Sequence, residues 1–397
     1  MEKIKLTKDI KRILSVLNEH GKGYVVGGYI RDSLLGIEPK DCDFCTNIEY
    51  SKLKEIFKEY SPKEIGKSFG IIQIKYNGNN YEIAKLRKDV LFTTERNITE
   101  IEFVENIDED LKRRDFTINA IAYDGEKLIC FSPLSLEDIQ NKVLRFVGEG
   151  IKRIEEDPLR ILRGVRIASE KNISILFSTM EEMKEKKSEI KRVSIERIQD
   201  EFFRMLKGKN SSKGFELLNS LGIFQEIFPK TFKELDLKEL LKKFQQLDTQ
   251  LSNDLNLKLA IIFFKTKSEL EILKLDKKTK KSILNILLYL DDRDYNKYEM
   301  KKIISKIGVE DFRRILILKS LNKKSNKEEI LLDEILSQKE PIFLKDIFIT
   351  GKDIIDLGIT DGKEIKKYLE ETLDLVLKYP KLNKKDYLIK RIEEEKV

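Results

Sequence analysis

The 397-residue chain contains a single histidine, His20, and that scarcity removes several chemistries at once. A serine–histidine triad, a His-rich zinc site and a histidine-based phosphohydrolase centre all need more imidazoles than this sequence has. Cysteine is nearly as rare. Cys42, Cys45 and Cys130 make neither an even disulfide framework nor a four-thiolate zinc cage, and Cys42 and Cys45 read as small buried residues in a reducing, cytoplasmic setting. No stretch approaches the ~18 uninterrupted apolar residues of a membrane span. The opening MEKIKLTKDIKRIL lacks the apolar centre of an export signal, so no membrane is expected. Repeats and low-complexity tracts are absent. Charge is plentiful but nearly balanced, 77 Lys+Arg against 70 Asp+Glu, which permits a nucleic-acid partner through local patches without requiring one. Any chemistry must rest on carboxylates and metal ions.

Periodicity divides what remains. Ile10, Ile13, Leu14 and Leu17 recur at helical spacing, and the stretch Gly21 to Gly23 closes that helix. A short strand at Tyr24 to Val26, a Gly27-Gly28 turn, a helix from Tyr29 to Leu35 and a second strand near Asp41 to Thr46 follow. Residues 71–76 and 81–86 flank Asn77-Gly78-Asn79-Asn80, a hairpin signature. Beyond Gly148-Glu149-Gly150 the pattern is helical, with continuous helices expected over Arg153–Lys171 and Ser194–Lys207. Breaks at 207–212, at 323–327 and at Pro341 predict four parts: a mixed α/β domain over 1–145, then helical segments over 146–207, 208–338 and 339–397.

Four clusters carry candidate chemistry. Asp41 and Asp43, two apart in an expected strand, would share a face and could together hold a hard cation such as Mg²⁺, leaving positions for phosphate oxygens. Just upstream, Gly27-Gly28-Tyr29-Ile30-Arg31-Asp32 is a strand-to-helix turn where backbone N–H groups can approach an anion and Arg31 offers a forked donor to phosphate. Arg113-Arg114-Asp115-Phe116-Thr117-Ile118-Asn119-Ala120 packs cations, a carboxylate and an amide suited to a ribose and its phosphates. Lastly, in Glu156-Asp157-Pro158-Leu159-Arg160-Ile161-Leu162-Arg163-Gly164-Val165-Arg166, Asp157 and Arg160 are spaced to share a helix face. An Asp acceptor beside an Arg donor matches the amine and ring nitrogen of cytosine and adenine and mismatches uracil and guanine. The plain alternative is an intrahelical ion pair of about 0.2–0.5 kcal/mol.

In this order the clusters resemble the class II CCA-adding enzymes (tRNA nucleotidyltransferases) and the related poly(A) polymerases of the DNA polymerase β superfamily. Arg192-Val193-Ser194-Ile195-Glu196-Arg197-Ile198 is similar to that family's neck-stabilising element, and Ile349-Thr350-Gly351-Lys352-Asp353-Ile354-Ile355 to its tail signature. The resemblance implies an α+β architecture, with a polymerase β-like head of mixed sheet and helices over 1–145, a base-selecting neck over 146–207, a body over 208–338 and an RNA-binding tail over 339–397. It implies Mg²⁺ on the catalytic pair Asp41 and Asp43, with Glu82 as an auxiliary carboxylate. Gly27, Gly28, Arg31, Arg113, Arg114, Asp115, Asn119, Asp157, Arg160, Arg163 and Arg166 would bind the nucleotide. CTP and ATP are the implied substrates, and the tRNA 3′ acceptor end is the implied partner. Lys277, Lys278, Lys280 and Lys281, with Lys381, Lys384 and Lys385, are candidate phosphate contacts. Alternatives are an enzyme adding only A or a poly(A) tail, and a catalytically silent RNA-binding protein. Two places depart from the family's pattern. The expected flexible loop reads Arg87-Lys88-Asp89-Val90-Leu91-Phe92-Thr93-Thr94-Glu95-Arg96, and the hinge position reads Cys130-Phe131-Ser132-Pro133-Leu134.

Overall fold

The structure, a computed structural model, describes residues 4–66, 69–92, 98–250, 254–291, 293–322 and 326–395. They form two compact units, residues 1–253 with 268–274, and residues 254–267 with 275–397. The first unit holds every candidate catalytic and nucleotide-binding residue.

It begins with α1 (Lys8–His20), capped by the Thr7 hydroxyl, which accepts from the Ile10 N–H, and buried along Ile10, Ile13, Leu14 and Leu17. Gly21 ends it in extended backbone, where a Cβ would come within 2.7 Å of Asn47 and Ile48. Next come β1 (Gly23–Val26), α2 (Gly28–Leu34), β2 (Asp43–Thr46), α3 (Tyr50–Ile56), β3 (Lys63–Gly66), β4 (Ile71–Tyr76) and β5 (Asn79–Lys85). The expected β4–β5 hairpin forms with a shorter turn than its signature, since Asn79 and Asn80 belong to the strand and only Asn77, at φ 47°, and Gly78, at φ 84°, make the loop. The chain continues through β6 (Arg87–Phe92), β7 (Ile98–Phe103), α4 (Ile107–Lys112), β8 (Ile121–Tyr123), β9 (Leu128–Cys130) and α5 (Leu134–Gln140).

Seven strands form a mixed sheet in the order β3-β4-β5-β2-β1-β8-β9, in which only the β2–β5 pair is parallel. β1 is buried along its whole length, as a central strand covered on both faces must be. The register matters for the site. Asp43 sits opposite Val26, the residue before Gly27, on one side and opposite Glu82 on the other.

Two expectations are corrected here. β2 starts at Asp43, so Asp41 precedes the strand and the alternation of strand faces does not govern it. The stretch read as a flexible loop is instead largely ladder: β6 and β7 pair as an antiparallel ribbon, Arg87 opposite Phe103. Its 93–96 portion lies outside the described residues.

From Gly150 the unit is helical apart from the short strand Ser174–Ile175, which pairs with Val143–Leu144; the helices begin with α6 (Gly150–Glu156), α7 (Leu159–Glu170), α8 (Phe177–Glu185), α9 (Ile195–Lys207) and α10 (Ser211–Ser220). The continuous helix expected over 153–171 is broken. Pro158, which has no N–H to donate, caps α7, and Asp157 is extended at φ −152°, ψ 99°. α7 packs close to the preceding turn because Gly164 has no side chain; a Cβ there would lie 2.9 Å from Phe116. Phe116 is fully buried and stacked on Phe146 at 5.0 Å.

The second unit is helical throughout its described residues. Its C-terminal part packs Ile347, Ile349, Ile354, Val376, Leu388 and Ile392 into one cluster. Thr350 and Asp353 form a capping box at the start of helix Gly351–Asp356. Lys385 pairs with Asp353 at 2.6 Å, while Lys381 and Lys384 are exposed. Lys277, Lys278, Lys280 and Lys281 lie at the start of helix Lys277–Tyr289.

Candidate active site

One cavity of about 520 Å³ gathers most of the predicted residues: Gly27, Gly28, Arg31, Asp43, Arg113, Arg114, Asp115, Asn119, Asp157, Arg160, Arg163 and Arg166 all line it. Asp41 and Glu82 are outside its lining, although the charges of both act on Asp43. Five further residues line it that the sequence reading did not assign to nucleotide binding: Phe69, Arg87, Asp89, Ile167 and Arg197. Eight arginines therefore face four aspartates across one small volume. Such an imbalance suits a polyanion.

The floor is the turn between β1 and α2. Gly27 adopts φ 68°, ψ −126°, a conformation closed to residues with a Cβ, and a Cβ there would stand 3.2 Å from Arg114 Nη1. Gly27→Ala is expected to cost about 1–3 kcal/mol of stability and to raise the nucleotide KM. Gly28→Ala serves as control, since its Cβ meets nothing nearer than Arg31 Nη2 at 3.6 Å. Coincident urea midpoints for the two variants would remove this account of Gly27.

The arginines are held by buried carboxylates. Arg31 donates to Asp32 Oδ1 through Nε at 2.8 Å and to Asn119 Oδ1 through Nη1 at 2.7 Å. Asn119 in turn donates to Asp115 Oδ1 at 3.0 Å, and Asp115 Oδ2 accepts from Arg163 at 3.3 Å. Burial works against the Asp115 charge, but Arg163 and the Asn119 hydrogen bond together hold its carboxyl below the usual range. Asp110, fully buried in the first turn of α4, binds Arg113 with one oxygen and Arg114 with the other, at 2.7 and 2.9 Å. Glu201 on α9 does the same for Arg163 and Arg166 on α7. Arg87 shows how positive the site is: burial, and then Arg113 nearby, bring its guanidinium down to about 10.

Asp157 and Arg160 do not pair with each other, which corrects the expectation of a shared helix face. Asp157 lies in the break between α6 and α7, its Oδ1 accepting from the Leu159 N–H at 3.2 Å and its Oδ2 from Arg197 at 2.9 Å. Arg160, only 6% exposed, donates to Glu156 Oε2 at 2.5 Å and to the carbonyls of Arg153 and Arg113 at 2.9 and 3.1 Å. The intrahelical ion pair considered as the plain alternative is thus absent. Each of the two groups is fixed by its own partners, with both on the cavity wall.

At the opposite wall Asp43 has its carboxyl pushed up to about 6, first by burial, then by Glu82, with Arg114 opposing and Asp41 adding to the rise. A carboxylate crowded by two others is poised for a cation. Among the described residues no group of three or more His, Cys, Asp or Glu closes a metal cage. Mg²⁺ commonly takes one or two carboxylates and completes its shell with water and substrate phosphates, so Asp43 on the cavity wall, with the charges of Asp41 and Glu82 acting on it from outside the lining, fits it.

Residues 23–156 match the model for the poly A polymerase head domain, and residues 172–235 that for the "probable RNA and SrmB-binding site of polymerase A". The CCA-adding enzyme of Staphylococcus haemolyticus is 30% identical over 401 residues, covering 98% of each chain. That of Lactobacillus helveticus is 30% identical over 402 residues, covering 96% of each. Among solved structures, the Bacillus stearothermophilus CCA-adding enzyme in complex with CTP has the same fold, with a TM-score of 0.81 at 24% identity over 98% of this chain and 99% of that one. The Thermotoga maritima CCA-adding enzyme complexed with tRNA gives a TM-score of 0.67 at 20% identity over 99% and 97%.

Proposed function

The chain belongs to the CCA-adding enzyme family of nucleotidyltransferases, and from that premise we propose that it adds C, C and A to the tRNA 3′ end from CTP and ATP without a nucleic-acid template. The observation that carries this reading is the single cavity in which an acidic wall at Asp43, a glycine floor and the Asp157/Arg160 pair face one volume. A nucleoside triphosphate needs all three in reach of one another.

Within the cavity the triphosphate lies over Gly27 and Gly28, where the Gly28 N–H and the Arg31 guanidinium donate to its oxygens, the Gly27 N–H being taken by the Ile121 carbonyl at 3.2 Å. Arg113, Arg114, Asp115 and Asn119 hold the ribose end. Asp157 accepts from the exocyclic amine of cytosine or adenine, and Arg160 donates to the ring nitrogen or carbonyl beside it. Arg163 and Arg166 keep this wall cationic and, through Glu201, rigid. Asp41 and Asp43 would hold Mg²⁺, with Glu82 as the auxiliary carboxylate. When bound, that ion supplies charge neutralisation at the phosphates and a more acidic primer 3′-hydroxyl. The RNA runs along the helical part of the chain, for which the match over residues 172–235 and the exposed lysines of the second unit are the support. The division into head 1–145, neck 146–207, body 208–338 and tail 339–397 belongs to the same proposal. No helix among the described residues is long and apolar enough to cross a membrane.

The deciding experiment incubates purified protein with tRNA ending before CCA, offering CTP and ATP singly and together. Addition of C, C and then A that stops there is the expected result. Extension with ATP alone would instead favour the A-adding or poly(A) reading, and no extension at all the silent RNA-binding one.

The raised Asp43 carboxyl gives the metal assignment a test that needs no turnover. Because its folded value of about 6 exceeds the usual 3.8, the folded chain holds this proton longer than the unfolded one. Its effect on stability is therefore neutral well below pH 3.8, turns unfavourable as pH rises from there to about 6, and stays so above. A cation at Asp43 opposes that penalty only where the group is ionised. Millimolar MgCl₂ is thus expected to raise the melting temperature clearly near pH 8 and little near pH 5. An equal Mg²⁺ shift at both pH values would place the cation elsewhere, and no shift at either would remove the metal assignment.

A further inference from the structure

We propose that Lys171 is a positioning residue for the triphosphate arginine, fixing through Asp32 the pose in which Arg31 meets the phosphates. The inference rests on reading the cavity as a nucleotide site. Lys171 itself does not line that cavity. It follows the last residue of α7, and its Nζ donates to Asp32 Oδ2 at 2.8 Å, while Asp32 Oδ1 accepts from Arg31 Nε at 2.8 Å and faces Nη2 at 2.7 Å. All three side chains are largely buried, at 16%, 9% and 10% exposure for Lys171, Asp32 and Arg31.

Neighbouring residues on a helix do not face one another, so Arg31 must fold back to reach Asp32, and something has to hold Asp32 where that is possible. Lys171 is that partner. It also answers the charge problem: an anion directly behind the triphosphate arginine competes with the phosphates unless a second cation shares it. The arrangement closes a ring. From Arg163 on α7 the contacts run to Asp115, Asn119, Arg31, Asp32 and back to α7's end at Lys171, each link between 2.7 and 3.3 Å. Its two anchors are eight residues apart, about 12 Å along the helix. The helix that carries Arg160 therefore also sets the triphosphate grip, and the spacing between base and phosphate sites is built into one rigid element.

The test measures CTP and ATP incorporation on tRNA ending before CCA, together with calorimetric binding of inorganic pyrophosphate in MgCl₂, for Lys171→Met and Lys171→Arg. Removing one charge-assisted link is expected to weaken pyrophosphate binding and raise the KM of both nucleotides about tenfold in Lys171→Met. The expected kcat stays within about twofold of wild type and the preference for CTP over UTP does not move, since Arg160 is untouched. Lys171→Arg, which restores the cation, is expected to recover most of the loss. A Lys171→Met protein that melts earlier yet binds pyrophosphate and both nucleotides like wild type overturns the proposal, leaving Lys171 a fold-stabilising residue. A loss in kcat alone overturns it too. If wild type binds pyrophosphate but extends no tRNA, the function reading fails while the binding arm still judges Lys171.

Discussion

Asp43→Asn is expected to lower nucleotide incorporation by roughly a thousandfold or more while leaving tRNA binding close to wild type. The size follows from what metal assistance is worth, several kcal/mol of transition-state stabilisation, at about 1.4 kcal/mol for each factor of ten. The substitution keeps shape and removes the charge that a cation needs. It also relieves the crowding that pushes this carboxyl up to about 6, so the folded protein should be no less stable than wild type near neutral pH. Lost activity in a protein that melts no earlier separates chemistry from folding. Asp41→Asn is expected to follow Asp43→Asn closely. Glu82→Gln should cost less, because the proposed metal pair is Asp41 and Asp43, with Glu82 only auxiliary to it. Turnover is measured by primer extension under saturating CTP, and tRNA binding by filter retention. Wild-type turnover in Asp43→Asn would end the metal assignment. A larger loss in Glu82→Gln than in Asp43→Asn would move the centre of the site by one strand.

How far the sequence reached depends on what kind of physics placed each residue. Local rules worked for the β1–Gly27–α2 turn, whose geometry demands a residue without a Cβ, and for the β4–β5 hairpin, where Asn77-Gly78 supplies the required backbone. They also located the change at Gly150 from mixed to helical structure. They failed where partners are distant in sequence. Nothing local says that Arg197 reaches Asp157, forty residues away, or that Glu201 bridges Arg163 and Arg166. A cue was nonetheless present: the buried flank of α9 places Glu201 beside Phe202 and Met205, and a carboxylate buried there needs cationic partners. The β6–β7 ribbon was missed for another reason. In β6 three charged residues precede three apolar ones without alternation, and family likeness suggested a loop in its place, so the alternation of Glu100-Ile101-Glu102-Phe103 in β7 went without a partner strand. The Asp157/Arg160 geometry was misread because helical spacing was carried through Pro158, where the helix in fact restarts.

That restart bears on the second large effect, the loss of base discrimination expected in Arg160→Ala. Three of the five guanidinium N–H groups are taken by Glu156 and the carbonyls of Arg153 and Arg113, which leaves two for a base. The guanidinium therefore reads the base from a fixed pose. Asp157 is likewise fixed, by the Leu159 N–H and by Arg197, and each of its oxygens keeps a second lone pair for an exocyclic amine. A rigid donor beside a rigid acceptor discriminates because uracil presents a carbonyl where Asp157 needs an amine and an N–H where Arg160 needs an acceptor. Removing Arg160 takes away the penalty on the second mismatch. A bidentate base contact is worth about 1–3 kcal/mol of discrimination, so the ratio of kcat/KM for CTP over UTP is expected to fall roughly 10- to 100-fold. The fold should survive, because Glu156 keeps its other partner, Arg153, at 3.0 Å and is not left as an unpaired buried charge. Asp157→Ala is expected to act in parallel, taking one contact from Arg197 at a more exposed position where losing it costs little. Kinetics with each of the four nucleoside triphosphates, alongside a thermal melt of each variant, measure both claims. An unchanged CTP-to-UTP ratio in Arg160→Ala, in a protein that still melts like wild type, would assign the base reading to other side chains on the same wall, with Arg163 and Arg197 next in line.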